Sequence, residues 1–309
     1  MRDPDNVLSA SYLRMRFKRY SAGRRSQGIL ASTPIVCLMT VPFLDVGAAY
    51  RELEHPIDAA ITRVLRSGRF ILGPEVESFE RGFAAYTAAK HCVGVGNGLE
   101  ALALALAAHR IGPGDEVIVP AATAVPTWLA VTHVGAVPVP AAVCESTWTL
   151  DPDRLDAAIT PRTRAVIPVH LYGHPADLGP ICDMARRYGL VVIDDAAQAH
   201  GARYRDRPIG ALVSATAFSF YPSKNLGAIG DGGAVTTDDD AIAARVRMLG
   251  NYGGRDKYDS ELPGCNSRLD PLQAAVLGVK LKKLDEWNAR RRVVAARYHD
   301  ALAHLTWLQ

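Results

Sequence analysis

Cysteine is scarce in this chain, and what there is does not pair by pattern. Cys37, Cys92, Cys144, Cys182 and Cys265 are odd in number, widely spaced and free of any C-x-x-C unit. This excludes a disulfide framework and a cysteine zinc site, and it suits a reducing cytoplasm. Charge of one sign is lacking too. The formal net charge is +3, and residues 1–28 hold seven Arg or Lys against Asp3 and Asp5, which leaves the rest at −2. A slightly acidic body offers no electrostatic footprint for nucleic acid. There is no apolar run fit to span a membrane. ILASTPIVCLMTVPFL follows a basic segment and superficially resembles a secretory signal, but Pro34 and Pro42 break it and it is too short. Residues 1–40 therefore read as a disordered leader, with ordered sequence from VPFLDV onward and Met39 as a possible natural start. A G-x-x-x-x-G-K phosphate loop and internal repeats are also missing.

What is present is an ordinary globular composition, 49% hydrophobic and 22% charged over 309 residues. That is enough for two unequal domains. From residue 90 short apolar runs alternate with helical periods. HCVGVG (91–96), EVIVPA (116–121), AVPVPAAV (136–143), RAVIPVHLYG (164–173), LVVIDDAA (190–197), ATAFSF (215–220) and GGAVTT (232–237) read as strands. Helical spacing falls at 99–109, over TWLAVTHVG, at 178–189 and at 238–253. Val/Ile-rich runs without alternation predict strands covered on both faces, hence an α/β fold with a largely parallel sheet. Residues 267–305 read as one long amphipathic helical stretch with Pro271 near its start.

Ligands of open α/β sheets bind beyond the carboxyl ends of the strands, and three features fall there. In GVGNGLEAL (94–102) a strand turns into a helix, so the amides of Gly98, Leu99 and Glu100 face outward as an anion or phosphate site. The spacing fails the G-x-G-x-x-G dinucleotide fingerprint, and Glu116 begins a strand where that motif needs an acid at a strand end. This disfavours a nicotinamide dehydrogenase. In VVIDDAAQAHGA (191–202) two acids close an apolar strand. Strand alternation sends Asp194 and Asp195 to opposite faces, so only one can serve a given site. In FSFYPSKNLGAIGDGGAVTT (218–237) a single amine, Lys224, follows a buried strand that carries Ser219. A partly desolvated lysine becomes a nucleophile toward carbonyls. A phosphate cradle, a buried acid and a nucleophilic lysine form the set that pyridoxal phosphate requires.

NGLEALALAL, IGPGDEVIVPA, VPVHLYGHPADL, DDAAQAHGA, SFYPSKNLGAIGDGGAVTT, NYGGRDKY and NSRLDPLQAAVL, in this order, resemble the DegT/DnrJ/StrS family of sugar aminotransferases. The likeness runs from about Val41 to the end. It implies a fold-type-I PLP-dependent transferase with a mostly parallel seven-stranded sheet flanked by helices. The large domain would span 41–285, and 286–309 would begin an incomplete small domain. It further implies that Lys224 bonds the cofactor and carries the proton, and that Asp195 meets the pyridinium nitrogen. Gln198 would lie against the ring, and Ser219 with the amides of Leu99 and Glu100 would hold the phosphate. Asn266 would reach the phosphate of a partner subunit in a homodimer with shared sites. An amino acid, usually glutamate, would give its nitrogen to a keto group of a nucleotide-linked sugar. NGLEAL, where 4-aminating relatives carry SGTxAL, resembles the branch acting on 3-keto deoxysugars of antibiotics. Relatives with His in place of Lys224 dehydrate; this chain keeps the lysine.

Some features depart from the family pattern. Ala124 stands where an aromatic residue usually stacks on the cofactor, and Trp128 lies one helical turn too far on. AAVCESTW, with Cys144, replaces a more acidic segment, and relatives continue beyond Gln309. A second reading is therefore a catalytically weak remnant acting as a binding or partner subunit. His170, His174 and Asp177 read as loop and core residues and not as a metal site, because Gly173 and Pro175 break any shared helical face. The basic stretch 287–299 reads as a solvated helix.

Overall fold

The computed structural model describes residues 42–256 and 259–305. The expected leader, residues 1–40, lies outside them. Three helices come first: α1 (Ala48–Glu52), α2 (Glu54–Ser67) and α3 (Pro74–Thr87). Then follow β1 (His91–Val95), α4 (Gly98–Ala108), β2 (Glu116–Pro120), α5 (Val125–His133), β3 (Val137–Ala141), β4 (Thr163–Val166), α6 (Leu178–Tyr188) and β5 (Val191–Asp195). A small ribbon, β6 (Arg203–Tyr204) with β7 (Arg207–Pro208), precedes β8 (Ala215–Ser219), β9 (Gly233–Thr237) and α7 (Asp240–Gly250). A second ribbon, β10 (Gly254–Asp256) with β11 (Asp259–Ser260), leads to α8 (Pro271–Leu281) and α9 (Leu284–Leu302).

The seven-stranded sheet runs β1-β9-β8-β5-β4-β2-β3, and β9 pairs antiparallel with both neighbours while the other pairings are parallel. β9 alone is therefore reversed, and the strand ends at Val95, Ser219 and Asp195 lie at one edge. Alternation divides the core in two. Val93, Val117, Val119, Ala165, Ile193, Ala217 and Val235 bury against α4, α5 and α7. Cys92, Phe218 and Ala234 face α3 and α8, while Ile118, Val166 and Val192 face α6. Both faces are covered, which is why these strands read as continuous apolar runs.

Two expectations are corrected. The run 164–173 is a strand only to Val166; after it Ile167 bonds Ile118 and His170 bonds Asp195 through backbone, and residues 171–173 form a 3-10 turn. The stretch 267–305 is two helices broken at Lys282 and Lys283, not one. The first, α8, is enclosed by α2 and α3. In α9 Leu284 and Trp287 are buried, and the helix is exposed from Ala289 to Ala301. Helices α1–α3 went unassigned from the sequence, although Val76, Phe79, Phe83, Ala84 and Thr87 carry a helical period and all are buried in α3.

In the aromatic wedge of Phe79, Phe83, Phe218 and Phe220, the last three pack on His200, which is 2% exposed. The ring shares a hydrogen bond of 2.8 Å between Nδ1 and Asn225 Oδ1. Burial pulls His200 down to about 4. An unfolded chain would take up this proton near pH ~6.5, so stability held above that pH is lost as pH falls toward the folded value, by ~3 kcal/mol. Urea unfolding of the wild type and His200→Gln at pH 7 and pH 4 should show the stability difference between them shrinking by about that amount. Parallel pH curves would rule the effect out.

Candidate active site

Helix α4 starts where it does because Asn97 caps it. Its extended backbone (φ −165°, ψ 175°) ends the turn, and Oδ1 accepts the Glu100 amide at 2.9 Å. The amides of Gly98 and Leu99 lie in the first helical turn and have no intrahelical acceptor. The helix end settles directly on the sheet edge. A Cβ on Gly98 would lie 2.6 Å from Ser219 Cβ, and one on Gly233 would lie 2.4 Å from the Asn97 carbonyl oxygen. Glycine at both positions is thus a packing requirement, and it brings the Ser219 hydroxyl beside the free amides. Glu100 turns away: its amide belongs to Asn97 and its carboxylate accepts from Ser267 Oγ at 2.5 Å. The Glu100 amide, expected to serve a phosphate, is thus already taken, while those of Gly98 and Leu99 have no intrahelical acceptor.

Alternation sorts the two acids. Asp195 continues the face of Ile193 toward α5, where Thr127 Oγ1 donates to its Oδ2 at 2.8 Å and the Ala197 amide donates to its Oδ1 at 3.1 Å. Thr127 is fully buried, and its hydroxyl also meets Thr123 Oγ1 at 3.0 Å. Burial raises the Asp195 pKa, while these donors and the charges of His170 and Lys224 oppose the rise. Asp194 points to the other face. Its Oδ2 lies 3.2 Å from His170 Nε2, with both side chains inaccessible, and His170 Nδ1 accepts the Ala176 amide at 3.0 Å. His170 is thus a core residue. Asp177 is engaged by the Tyr204 hydroxyl.

Lys224 stands in the loop after β8. Its amide donates to the Tyr221 carbonyl at 2.8 Å, and Ala228 returns to the Phe220 carbonyl at 2.8 Å, so the loop folds back on the strand end. Burial lowers the Lys224 pKa, and only the charge of Asp195 resists. A larger neutral fraction makes the amine a better nucleophile. Gln198 is held by accepting the Tyr172 amide at 2.6 Å.

One cavity of about 250 Å³ gathers Gly98, Leu99, Asp195, Gln198, Ser219 and Lys224. Ala124 lines it as well, and so do Thr123, Tyr221 and Asp231. Trp128 packs in the core against α4 and does not replace the missing aromatic face. Asn266 is not brought in: it is exposed and bridges Asn251. Sequence reading passed over Thr127, although its place just after Pro126 at the start of α5 puts it beside the strand ends.

The family model for DegT/DnrJ/EryC1/StrS aminotransferases matches residues 52–309. The chain belongs to that family. It is 60% identical over 265 residues to the dTDP-3-amino-3,4,6-trideoxy-alpha-D-glucose transaminase of Streptomyces venezuelae, covering 86% of this chain and 70% of that one. It is 58% identical over 264 residues to the erythromycin biosynthesis sensory transduction protein EryC1 of Saccharopolyspora erythraea, covering 85% and 72%. Among solved structures, S. venezuelae DesV in complex with a ketimine intermediate superposes with a TM-score of 0.85 at 60% identity, over 86% of this chain and 71% of that one.

This DegT/DnrJ/EryC1/StrS member is a fold-type-I, pyridoxal-phosphate-dependent aminotransferase. The cavity fits that cofactor on three independent counts. Gly98 leaves no room for a side chain between the free amides and Ser219, Asp195 is buried yet supplied with donors that favour its charge, and Lys224 is partly desolvated. Thr127→Val removes a hydrogen bond to a charged group, worth about 1.5–3 kcal/mol. Asp195 then holds its charge less well, so the acid limb of pyridoxal phosphate binding should move up by about one to two pH units. Spectrophotometric titration of the apoprotein with cofactor measures this, and an unmoved limb would show that Thr127 does not act on Asp195.

Proposed function

We propose that this protein moves the amino group of an amino acid, glutamate by family habit, to the C3 keto group of a nucleotide-linked deoxysugar. The products are the corresponding keto acid and amino sugar. The observation that carries the reading is the convergence of Lys224, Asp195, Ser219 and the α4 amides on one cavity. The substrate class rests on the 60% identity to the dTDP-3-amino-3,4,6-trideoxy-alpha-D-glucose transaminase. That identity favours a working enzyme over a weak remnant, and Lys224 argues for amine transfer over dehydration.

Bound pyridoxal phosphate supplies an aldehyde that accepts the amine and a ring that withdraws electrons. Lys224 would be the residue that holds that aldehyde, and its Nζ amine would accept and release the proton moved in the reaction. The Asp195 carboxylate, supported by Thr127, would meet the ring nitrogen. The Gly98 and Leu99 amides with the Ser219 hydroxyl would hold the phosphate at the positive end of α4. Gln198, fixed by Tyr172, would lie against the ring. Ala124 leaves one face without a stacking partner, a loss of about 1 kcal/mol.

The protein is read as a cytoplasmic homodimer in which Asn266 serves the partner's phosphate site. Exposure of Asn266 outside its own subunit's cavity supports this, as does the general prevalence of two-fold dimers. No helix among the described residues is long and apolar enough to cross a membrane.

Borohydride added to the pyridoxal-phosphate-loaded protein should bleach its visible band and fix the cofactor to Lys224 alone on peptide mapping. Glutamate should convert the loaded form, and a dTDP-linked 3-keto sugar should discharge it. Labels scattered over several lysines, or no discharge by keto sugar, would overturn the reading. Mixed dimers test Asn266. Lys224→Ala and Asn266→Ala subunits are each expected to be poorly active alone, yet their heterodimer contains one intact site if Asn266 acts across the interface. Failure to regain activity on co-refolding would place Asn266 outside the partner's site.

A further inference from the structure

Lys224 also lines a second cavity, of about 270 Å³, between α1, the loop around Pro222 and Gly227, and the start of α9. A wider opening of about 550 Å³ shares Lys224 and Arg291 with it. The acids on its wall are already matched. Asp45 pairs with Arg51, and Glu52 accepts from Arg290 at 2.9 Å and 3.2 Å and from Trp287 Nε1 at 3.2 Å. Two cations are not matched. Lys280 is 5% exposed, and its only hydrogen-bond partner among the described residues is the Gly227 carbonyl at 2.6 Å. An ammonium has three donors, so two are left without an acceptor among the described residues. Arg291 has no carboxylate among the described residues; its one contact is Asn288 Oδ1 at 3.4 Å. Within the exposed basic stretch 287–299, Arg290 is spent on Glu52 and Glu286, while Arg291 lines the cavity.

A buried ammonium without a counter-ion is costly, and an arginine fork beside it is built for an oxyanion. We propose that Lys280 and Arg291 form an anion subsite next to Lys224 that holds an oxyanion of the substrate while its reacting carbon sits at Lys224. The inference rests on the aminotransfer reading for its choice of ligands. Both substrates carry such a group: a carboxylate on the amino donor and a diphosphate on the nucleotide-linked sugar. Gly227 ties the subsite to the lysine loop, since the carbonyl that anchors Lys280 lies three residues from Lys224.

The test needs no turnover. The pyridoxal-phosphate-loaded protein is titrated calorimetrically at low salt with inorganic pyrophosphate and, separately, with glutarate. Arg291→Gln should weaken at least one probe roughly 10- to 100-fold, the range expected for losing a charge-assisted bidentate contact. Arg291→Lys should recover part of it, and Lys280→Met should weaken the same probe. Loss for pyrophosphate assigns the subsite to the nucleotide, loss for glutarate to the donor, and loss for both to a shared site. If the wild type binds neither probe, or binds both as Arg291→Gln does, the proposal is overturned. Arg291 is exposed, so its variants should keep the wild-type melting temperature. Arg291-dependent binding in a protein that never aminates a keto sugar would sink the functional reading and leave the subsite standing.

Discussion

The site depends on how closely the first turn of α4 can approach the sheet. The contact is backbone against strand end: Gly98 on Ser219 and Gly233 on Asn97, with no room for a Cβ on either glycine. Any larger residue would lift the helix off the sheet edge and carry its two free amides away from the Ser219 hydroxyl. The reversal of β9 makes the contact possible. Because that strand runs opposite to its neighbours, its first residue, Gly233, lies between Val95 and Ser219 in register. A parallel strand in that place would put its last residue there.

The second constraint is electrostatic. Two adjacent carboxylates at the end of a buried strand could not share one environment without strong repulsion. Period-two alternation separates them through the sheet. Asp194 faces a buried histidine on the other side, and the His170 amide also bonds the Asp195 carbonyl. Asp195 is left with hydroxyl and amide donors only, so it stays ready for a cationic group in the cavity. Burial pushes Asp195 and Lys224 in opposite directions, up for the acid and down for the amine, and each partly restrains the other.

Helix α9 is fastened to the same loop from the outside. Asn288 donates to the His200 carbonyl at 2.9 Å, and Asn225, next to Lys224, donates to both His200 and Asn288. Asp285 accepts from Tyr86 at 2.6 Å and Glu52 holds Trp287 and Arg290. The lysine loop, the buried histidine and the first turns of α9 therefore form one hydrogen-bonded unit, which couples the position of Arg291 to that of Lys224.

The strand and helix alternation, the split of Asp194 from Asp195, the amine at Lys224 and the glycine turn before α4 were all readable in one dimension. Each is a local consequence of periodicity, backbone permissiveness or residue chemistry. Helix α3 had the same kind of signal in its buried Val76, Phe79 and Phe83. Other features required the third dimension. The reversal of β9 follows from sheet order, because GGAVTT reads the same in either direction. That Asn97 takes the Glu100 amide is decided by a side-chain rotamer, and that Thr127 serves Asp195 is decided by a contact between residues 68 positions apart. The break at Lys282 and Lys283 shows no Gly or Pro, since it arises where Lys280 is drawn to the Gly227 carbonyl and Leu284 and Trp287 turn into the core. Sequence alone determined which chemical groups the protein owns and which strand ends carry them. Tertiary structure decided which of their hydrogen-bonding positions remain free, because that depends on partners distant in the chain.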